Sequence, residues 1–257
     1  MKTILLLALY LASFSLFANT LYIPFVKPVE QRVIKDPRGG SSKRFEGCGP
    51  VAASMLFSYW EGERDYKILS EEQVYDGTFH PKKTIKEFYT ASWSQKAPAR
   101  GKAPDGKKYP QTFTLPNGLV KGLKTFVQKA NSINAEKLIV KRLKAKNSNS
   151  KKLKTIERLL EKKVPFISLI HNIPACLNSK DNKSGGWHYV VIVGLDKEKK
   201  TIDLLSGWKE LNADTSTDTE VHQRRSHPDS DKAHIKCNID EFINANPAYY
   251  WIEELDS

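Results

Sequence analysis

Cys48 lies in a setting that is typical of a reactive thiol. It stands between Gly47 and Gly49, and an apolar run with helical spacing begins at Pro50. A thiol attacks as its thiolate, and the free N–H groups and the dipole of a helix N-terminus stabilise that anion. The two glycines allow a sharp turn and the close approach of a substrate backbone. Cys48 is therefore a candidate nucleophile, with its own N–H as an oxyanion donor and Gly49 beside the cleft.

A catalytic thiol needs a base, and His188 is the best placed of the six histidines. It follows "GGW" and opens the apolar strand "HYVVIVGL", so its side chain can project from a rigid element toward a cleft. A third group should orient the imidazole from the strand that returns from His188. The polar candidates there are Asp203, Ser206 and Asn212.

Both residues also have plainer interpretations. Cys48 can be an inert buried thiol or a disulfide partner, and His188 can be a structural histidine of a strand. A zinc site is the remaining alternative, from His222, His227, His234 and Cys237. Their spacing matches no compact ligand pattern, so we expect neither a metal nor another cofactor.

The elements that must position these residues change in type along the chain. Helical periodicity covers residues 50–60, 116–130 and 150–163, whereas the apolar strands lie at 165–170, 188–195, 201–208 and 249–255. Helices that come first and strands that gather late indicate an α+β domain. The Lys-, Pro- and Gly-rich stretch 94–114 and the polar stretch 211–235 are predicted to be surface-loop insertions.

The first residues predict export. Lys2 precedes an uncharged run from Ile4 to Phe17, and Ala18 offers a cleavage point, which is the pattern of a secretory signal peptide over residues 1–18. An uncleaved membrane anchor is the alternative, although the run is short for a membrane span. We expect residues 19–257 to form a single domain that is secreted or periplasmic, without a stable membrane span after cleavage.

The cysteine count supports a special role for one thiol. Cysteines tend to pair in exported proteins, and three is an odd number. Cys176 and Cys237 both lie in polar, loop-like sequence and are the favoured disulfide pair, which leaves Cys48 over.

The charge of the chain does not point to nucleic acid. The formal net charge is +12, with a basic stretch over residues 137–163. No aromatic residue interleaves that stretch and no nucleic-acid motif accompanies it, so we interpret it as a solvated helix face. We expect a monomer whose partner is a peptide or protein substrate.

Several segments resemble the double-glycine leader peptidases, a papain-like family. "GCGPVAASMLFSYW" is similar to the cysteine motif of that family, and "LKTIERLLEKKVPFISLI", "GWHYVVIVGLD" and "DEFINANPAYYWIEEL" follow in the order of its second half. His188 lies 140 residues after Cys48, a separation typical of papain-like enzymes. The resemblance implies a papain-like α+β fold, in which an N-terminal helix with the cysteine packs on a late antiparallel sheet with the histidine.

The resemblance also implies roles. Cys48 matches the nucleophile and His188 matches the general base. The orienting Asp or Asn of the family falls on Ser206, and Trp208 matches the tryptophan that shields the histidine. The glutamine that supplies the oxyanion hole, a few residues before the cysteine, falls on Ser42.

Two positions depart from the family. A serine in the orienting position accepts a hydrogen bond without carrying charge, and Asp203 should face the other side of its strand because it alternates with apolar neighbours. No glutamine lies between Gln31 and the nucleophile, so Ser42 or Arg44 would have to donate to the oxyanion.

These observations predict an exported cysteine hydrolase that cleaves peptide or amide bonds. The two departures leave a second hypothesis open, a papain-like fold of weak or absent activity that binds peptides or cell-wall components. Transamidation and deamidation use the same residue types, so the sequence does not separate them from hydrolysis.

Overall fold

The computed structural model describes the chain with gaps. The described residues are 20–29, 31, 33–36, 41–45, 47–69, 74–75, 78–79, 82–97, 109–135, 137–172, 174–177, 187–207 and 234–255. The predicted signal peptide, Asn212, Trp208 and most of the predicted insertion at 211–235 lie outside them. Among the described residues, no helix is long and apolar enough to cross a membrane.

Strands and helices are interspersed along the described part of the chain. The strands are β1 (Thr20–Tyr22), β2 (Val33–Lys35), β3 (Lys43–Phe45), β4 (Val74–Tyr75), β5 (Thr78–Phe79), β6 (Ser94–Ala97), β7 (Gln111–Thr114), β8 (Leu138–Leu143), β9 (Phe166–Ile170), β10 (His188–Asp196), β11 (Thr201–Leu205), β12 (His234–Asn238) and β13 (Ala248–Glu254). The α-helices are α1 (Cys48–Gly62), α2 (Lys82–Thr90), α3 (Pro116–Ile133), α4 (Asn149–Glu161) and α5 (Ile239–Asn244).

A seven-stranded sheet, called the main sheet below, forms the centre of the fold. Its strand order is β12-β11-β10-β9-β13-β8, and β1 pairs with the far end of β10. Every pairing in it is antiparallel. All residues of β9 are buried, as are the first eight of β10, because helices cover these apolar runs.

The helix α1 packs directly on this sheet. It contacts β9 and β10 on one side and α2, α3 and β7 on others. Every residue from Gly49 to Trp60 is buried, so the helix lies inside the core rather than on its surface. The predicted α+β class, with the cysteine on an early helix and the histidine on a late antiparallel sheet, is confirmed.

A second sheet, called the small sheet, was missed by the sequence analysis. Its order is β2-β3-β7-β6, with β3 and β7 parallel and the other pairs antiparallel. The stretch 94–114 is therefore no simple surface loop, since it begins and ends in paired strands; residues 98–108 lie outside the described residues. The stretch 211–235 likewise runs into a strand of the main sheet, β12, at His234.

A disulfide ties the main sheet to the segment before β10. It joins Cys176, in a 3-10 helix at Ala175–Leu177, to Cys237 in β12, with Cα atoms 5.3 Å apart. Cys48 is a free cysteine.

Candidate active site

The position of Cys48 is fixed by a turn anchored in the core. Cys48 is the first residue of α1, and Gly47 before it has extended backbone. The N–H of Gly47 donates to the hydroxyl of Tyr89, 3.0 Å away, and the Tyr89 side chain is fully buried in α2. The nucleophile candidate thus starts a helix whose preceding residue is held by a rigid partner.

The glycines on either side of Cys48 are required by close packing against β7. A Cβ atom at Gly47 would lie 2.8 Å from the carbonyl oxygen of Thr112, and one at Gly49 would lie 2.7 Å from the Cβ of Thr114. Neither distance is compatible with a larger residue unless β7 moves. The small sheet therefore sets the shape of the turn that carries the thiol.

The thiol of Cys48 lies at the beginning of β10. The backbone N–H groups of Tyr189, Cys48 and Gly49 lie near its sulfur and favour the thiolate. Because Tyr189 follows His188 directly, the structure places the sulfur beside the backbone of the residue next to the predicted base. Burial raises the pKa of Cys48 to about 11, and these N–H groups only partly oppose that rise.

His188 is the first residue of β10, and its ring is buried and oriented. Its Nε2 lies 2.9 Å from the carbonyl oxygen of Ser206 and 3.1 Å from the Ser206 hydroxyl. A carbonyl oxygen only accepts, so Nε2 carries the proton in this contact and Nδ1 is the basic nitrogen of the neutral ring. Burial lowers the pKa of His188 to about 3, against the opposing effect of the Ser206 backbone.

The structure changes the interpretation of the orienting residue. The sequence comparison pointed to the Ser206 side chain, but its main-chain carbonyl makes the shorter contact with His188. Asp203 pairs with Gly194, six residues along β10 from His188, so the structure does not bring Asp203 to the imidazole.

Of the two oxyanion candidates upstream of the cysteine, Ser42 is exposed and the Arg44 side chain is bound elsewhere. Ser42 is exposed, and its carbonyl accepts from the N–H of Asp36 at 2.9 Å. Arg44 is buried and forms an ion pair with Asp36, and its Nη1 donates to the Thr112 hydroxyl at 3.5 Å. Arg44 therefore links β3 to β7 beneath the cysteine turn.

Gln31 lies near the candidate site, although the sequence analysis did not select it. Its N–H donates to the carbonyl of Gly207 at 2.8 Å, and Gly207 directly follows Ser206. A Cβ at Gly207 would meet the Gln31 side chain at 3.8 Å and Val51, in the first turn of α1, at 3.0 Å. Gln31 thus lies where the histidine-orienting segment and the cysteine helix meet.

The pairing of β2 with β3 explains how Gln31 comes close to the cysteine turn. The two strands are antiparallel, with Val33 opposite Phe45. Residues just after Gln31 therefore lie beside a residue three positions before Cys48. Gln31 is also the last glutamine before the cysteine.

No metal centre is formed by the residues that the structure covers. No group of three or more His, Cys, Asp or Glu side chains in that part of the chain is arranged to hold an ion. His222 and His227 lie outside the described residues, and the Cys237 sulfur is in the disulfide.

The two pKa values predict how the thiol responds to pH. With Cys48 near 11 and His188 near 3, both groups are neutral at pH 7. We expect alkylation of Cys48 by iodoacetamide to rise about tenfold per pH unit from pH 7 to pH 10, because only the thiolate reacts. Mass spectrometry of the alkylated protein over this range measures the rate. A preformed thiolate–imidazolium pair would instead give a plateau through neutral pH.

Comparison with known proteins places the site in a family. The model of the Peptidase_C39-like family matches residues 23–226. Among solved structures the chain is similar to xylellain, a cysteine protease from Xylella fastidiosa, with 14% identity over 93% of this chain and 87% of that chain and a TM-score of 0.39. Because the TM-score is this low, we draw no conclusion about the fold or the function from that similarity. None of the curated proteins compared matches the chain.

The family match spans the cysteine turn, the histidine strand and Gln31, and it covers well over half of the chain. It confirms the resemblance on which the sequence comparison rested, at the level of the superfamily. The chain belongs to the Peptidase_C39-like family, within the papain-like cysteine peptidases.

Proposed function

We propose that this chain is an exported cysteine hydrolase that cleaves peptide or amide bonds. The observation that carries the proposal is the position of the Cys48 sulfur beside the start of β10, where Ser206 holds the ring of His188. Cys48 is the nucleophile, His188 is the general base, and the Ser206 carbonyl and hydroxyl are the orienting groups.

The geometry supports a stepwise acyl transfer. Substrate binding brings a carbonyl carbon to the Cys48 sulfur, and Nδ1 of His188 takes the thiol proton as the S–C bond forms. The imidazolium is stabilised while its Nε2–H donates to Ser206. The same proton then passes to the leaving amine as the C–N bond breaks. Water, activated by the neutral ring, hydrolyses the thioester and restores the thiol.

The oxyanion of this reaction needs donors near the sulfur. The backbone N–H of Cys48 is one, and we assign the second to the side-chain amide of Gln31 instead of Ser42. Gln31→Ala should lower kcat by about a hundredfold or more, because one oxyanion donor is lost. Ser42→Ala is the matched control and should stay within about twofold of the parent. Equal effects of the two substitutions on peptide hydrolysis would contradict the assignment.

Export is supported by the disulfide between Cys176 and Cys237, since such bonds persist in oxidising compartments. The protein for the experiment below should therefore be recovered from the secreted or periplasmic fraction. A mass that still includes residues 1–18 in that fraction would contradict export with cleavage.

The decisive experiment is labelling of the exported protein with a peptide vinyl sulfone. We expect one adduct, on Cys48, formed at least about a hundredfold faster than on a free cysteine peptide at pH 7. Cys48→Ser should abolish both the adduct and the hydrolysis of a fluorogenic peptide. Labelling no faster than that of the free cysteine, with turnover unaffected by Cys48→Ser, would overturn the proposal.

A second candidate function is a peptide-binding module of little activity. It is favoured by the neutral Cys48–His188 pair, since a thiol with a pKa of about 11 holds only about one thiolate in 10⁴ at pH 7. Saturable peptide binding without turnover, unchanged by Cys48→Ser, would select this function over the first.

A further inference from the structure

Three aromatic rings from three separate elements meet beside the candidate active site. Phe113 of β7, His171 after β9 and Trp187 before β10 form what we call the aromatic cluster. The ring centroids of Trp187 and His171 are 5.0 Å apart at an interplanar angle of 70°, and those of Trp187 and Phe113 are 6.0 Å apart at 43°. These distances and tilts are those of attractive aromatic pairs.

Each member of the cluster is a sequence neighbour of a residue that shapes the site. Trp187 directly precedes His188, and His171 directly follows Ile170, the register partner of His188 across the sheet. Phe113 stands between the two threonines of β7 that touch the glycines flanking the cysteine. The cluster therefore lies at the same end of the main sheet as the thiol and the imidazole.

The cluster is both exposed and held in place. Trp187 is 44% exposed, whereas the aromatic residues within β9 and β10, Phe166 and Tyr189, are buried. The Nδ1–H of His171 donates to the carbonyl of Asn246 at 2.7 Å, which fixes the ring against Trp187. An exposed indole held by edge-on and tilted contacts with two other rings is a preorganised apolar surface, and its exposure costs free energy unless a ligand covers it.

We propose that the aromatic cluster is a substrate subsite, which takes one bulky apolar side chain, aromatic for preference, from the peptide whose carbonyl meets Cys48. The position of the cluster identifies the occupant. A peptide bound at the Cys48 sulfur must pass the residues adjacent to His188, and of these Trp187 is exposed whereas Tyr189 is buried. The ring of the substrate would stack on the indole and cover it. This proposal rests on the proposed function for the identity of its ligand.

The test measures binding separately from turnover. Hexapeptides of alanine, each with one phenylalanine at a different position, are titrated against the full-length Cys48→Ala variant by calorimetry. One position should bind about tenfold more tightly than all-alanine peptide. Adding Trp187→Ala should remove that preference while the affinity for all-alanine peptide stays within about twofold, and Trp187→Phe should restore most of it. Ile133→Ala, at a residue 70% exposed on α3, is the control and should change neither affinity.

The outcomes separate the subsite from the catalytic proposal. Suppose that the phenylalanine preference depends on Trp187 but the parent chain, with Cys48 intact, hydrolyses no peptide. That result would support the subsite and overturn the proposed function. Hydrolysis with no such preference would overturn the subsite alone. If Trp187→Ala weakened all peptides equally, or if the preference survived Trp187→Ala, the subsite would also be refuted.

Discussion

Replacing His188 with alanine is expected to lower kcat/KM for peptide hydrolysis by about a thousandfold or more. The thiol is partly buried and neutral, with its pKa raised to about 11, so it needs a base to lose its proton near pH 7. Removal of the base leaves only the small population of spontaneous thiolate, which accounts for a loss of this size. Steady-state kinetics on a fluorogenic peptide, with the melting temperature as a check of the fold, measures the effect.

Two further variants define what His188 does. The double variant Cys48→Ala/His188→Ala should have nearly the same kcat/KM as Cys48→Ala alone, because the two residues act as a unit. Ser206→Ala should cost only about tenfold, since the Ser206 carbonyl still accepts from Nε2 when the hydroxyl is gone. An His188→Ala enzyme that retains more than a tenth of the parent rate would exclude His188 as the base.

The second large effect is expected from the ion pair beneath the cysteine turn. Arg44→Met leaves the carboxylate of Asp36 buried without its main partner, since both side chains are nearly inaccessible. We expect the free energy of unfolding to fall by about 3–5 kcal/mol, as for other broken buried pairs. Urea unfolding followed by tryptophan fluorescence, with the disulfide intact, gives the value.

Lys96 provides a matched control for that measurement. Its Nζ lies 3.6 Å from the same carboxylate of Asp36, but the Lys96 side chain is 63% exposed. Lys96→Met should therefore cost less than about 1 kcal/mol. If Arg44→Met lowered the free energy of unfolding no more than Lys96→Met, the buried ion pair would not stabilise the small sheet. Activity should also be compared in the two variants while both are folded. A larger loss of activity in Arg44→Met than in Lys96→Met would show that the Arg44–Asp36 pair helps to position Cys48.

The parts of the fold that sequence predicted are those with strong local periodicity. The helix after Cys48 and the hairpin of β10 and β11 were placed within a few residues, because each is a long run with one pattern. The helix begins at Cys48, two residues before the predicted start at Pro50. The difference arises because the first turn of a helix shows no periodicity of its own. These elements are sufficient to predict the α+β class.

The small sheet was missed because its strands are too short to show alternation. None is longer than four residues, and its parallel pairing joins Phe45 to Gln111 across a long stretch of chain. The Lys-, Pro- and Gly-rich composition of 94–114 describes its middle rather than its ends. Composition averages over a window, so it hides two short strands that flank a polar segment.

The candidate site divides in the same way. Cys48 and His188 could be selected as candidates because their sequence neighbours suggest their chemistry, and their roles remain predictions. The Ser206 carbonyl could not, since every residue has one and only geometry selects it. The proximity of Gln31 to Gly207 could not be predicted from spacing along the chain, because the pairing of β2 with β3 brings distant residues together.

The disulfide has a consequence for when the site becomes complete. The covalent loop from Cys176 to Cys237 encloses His188 and Ser206 but not Cys48 or Gln31. Formation of the disulfide therefore restrains the segment that carries the proposed base, His188, and does not restrain the segment that carries the proposed nucleophile, Cys48. If the chain is exported as proposed, this loop closes only where disulfides persist, so the segment that carries His188 and Ser206 would be restrained last. The disulfide would then couple completion of the candidate site to the redox state of the compartment.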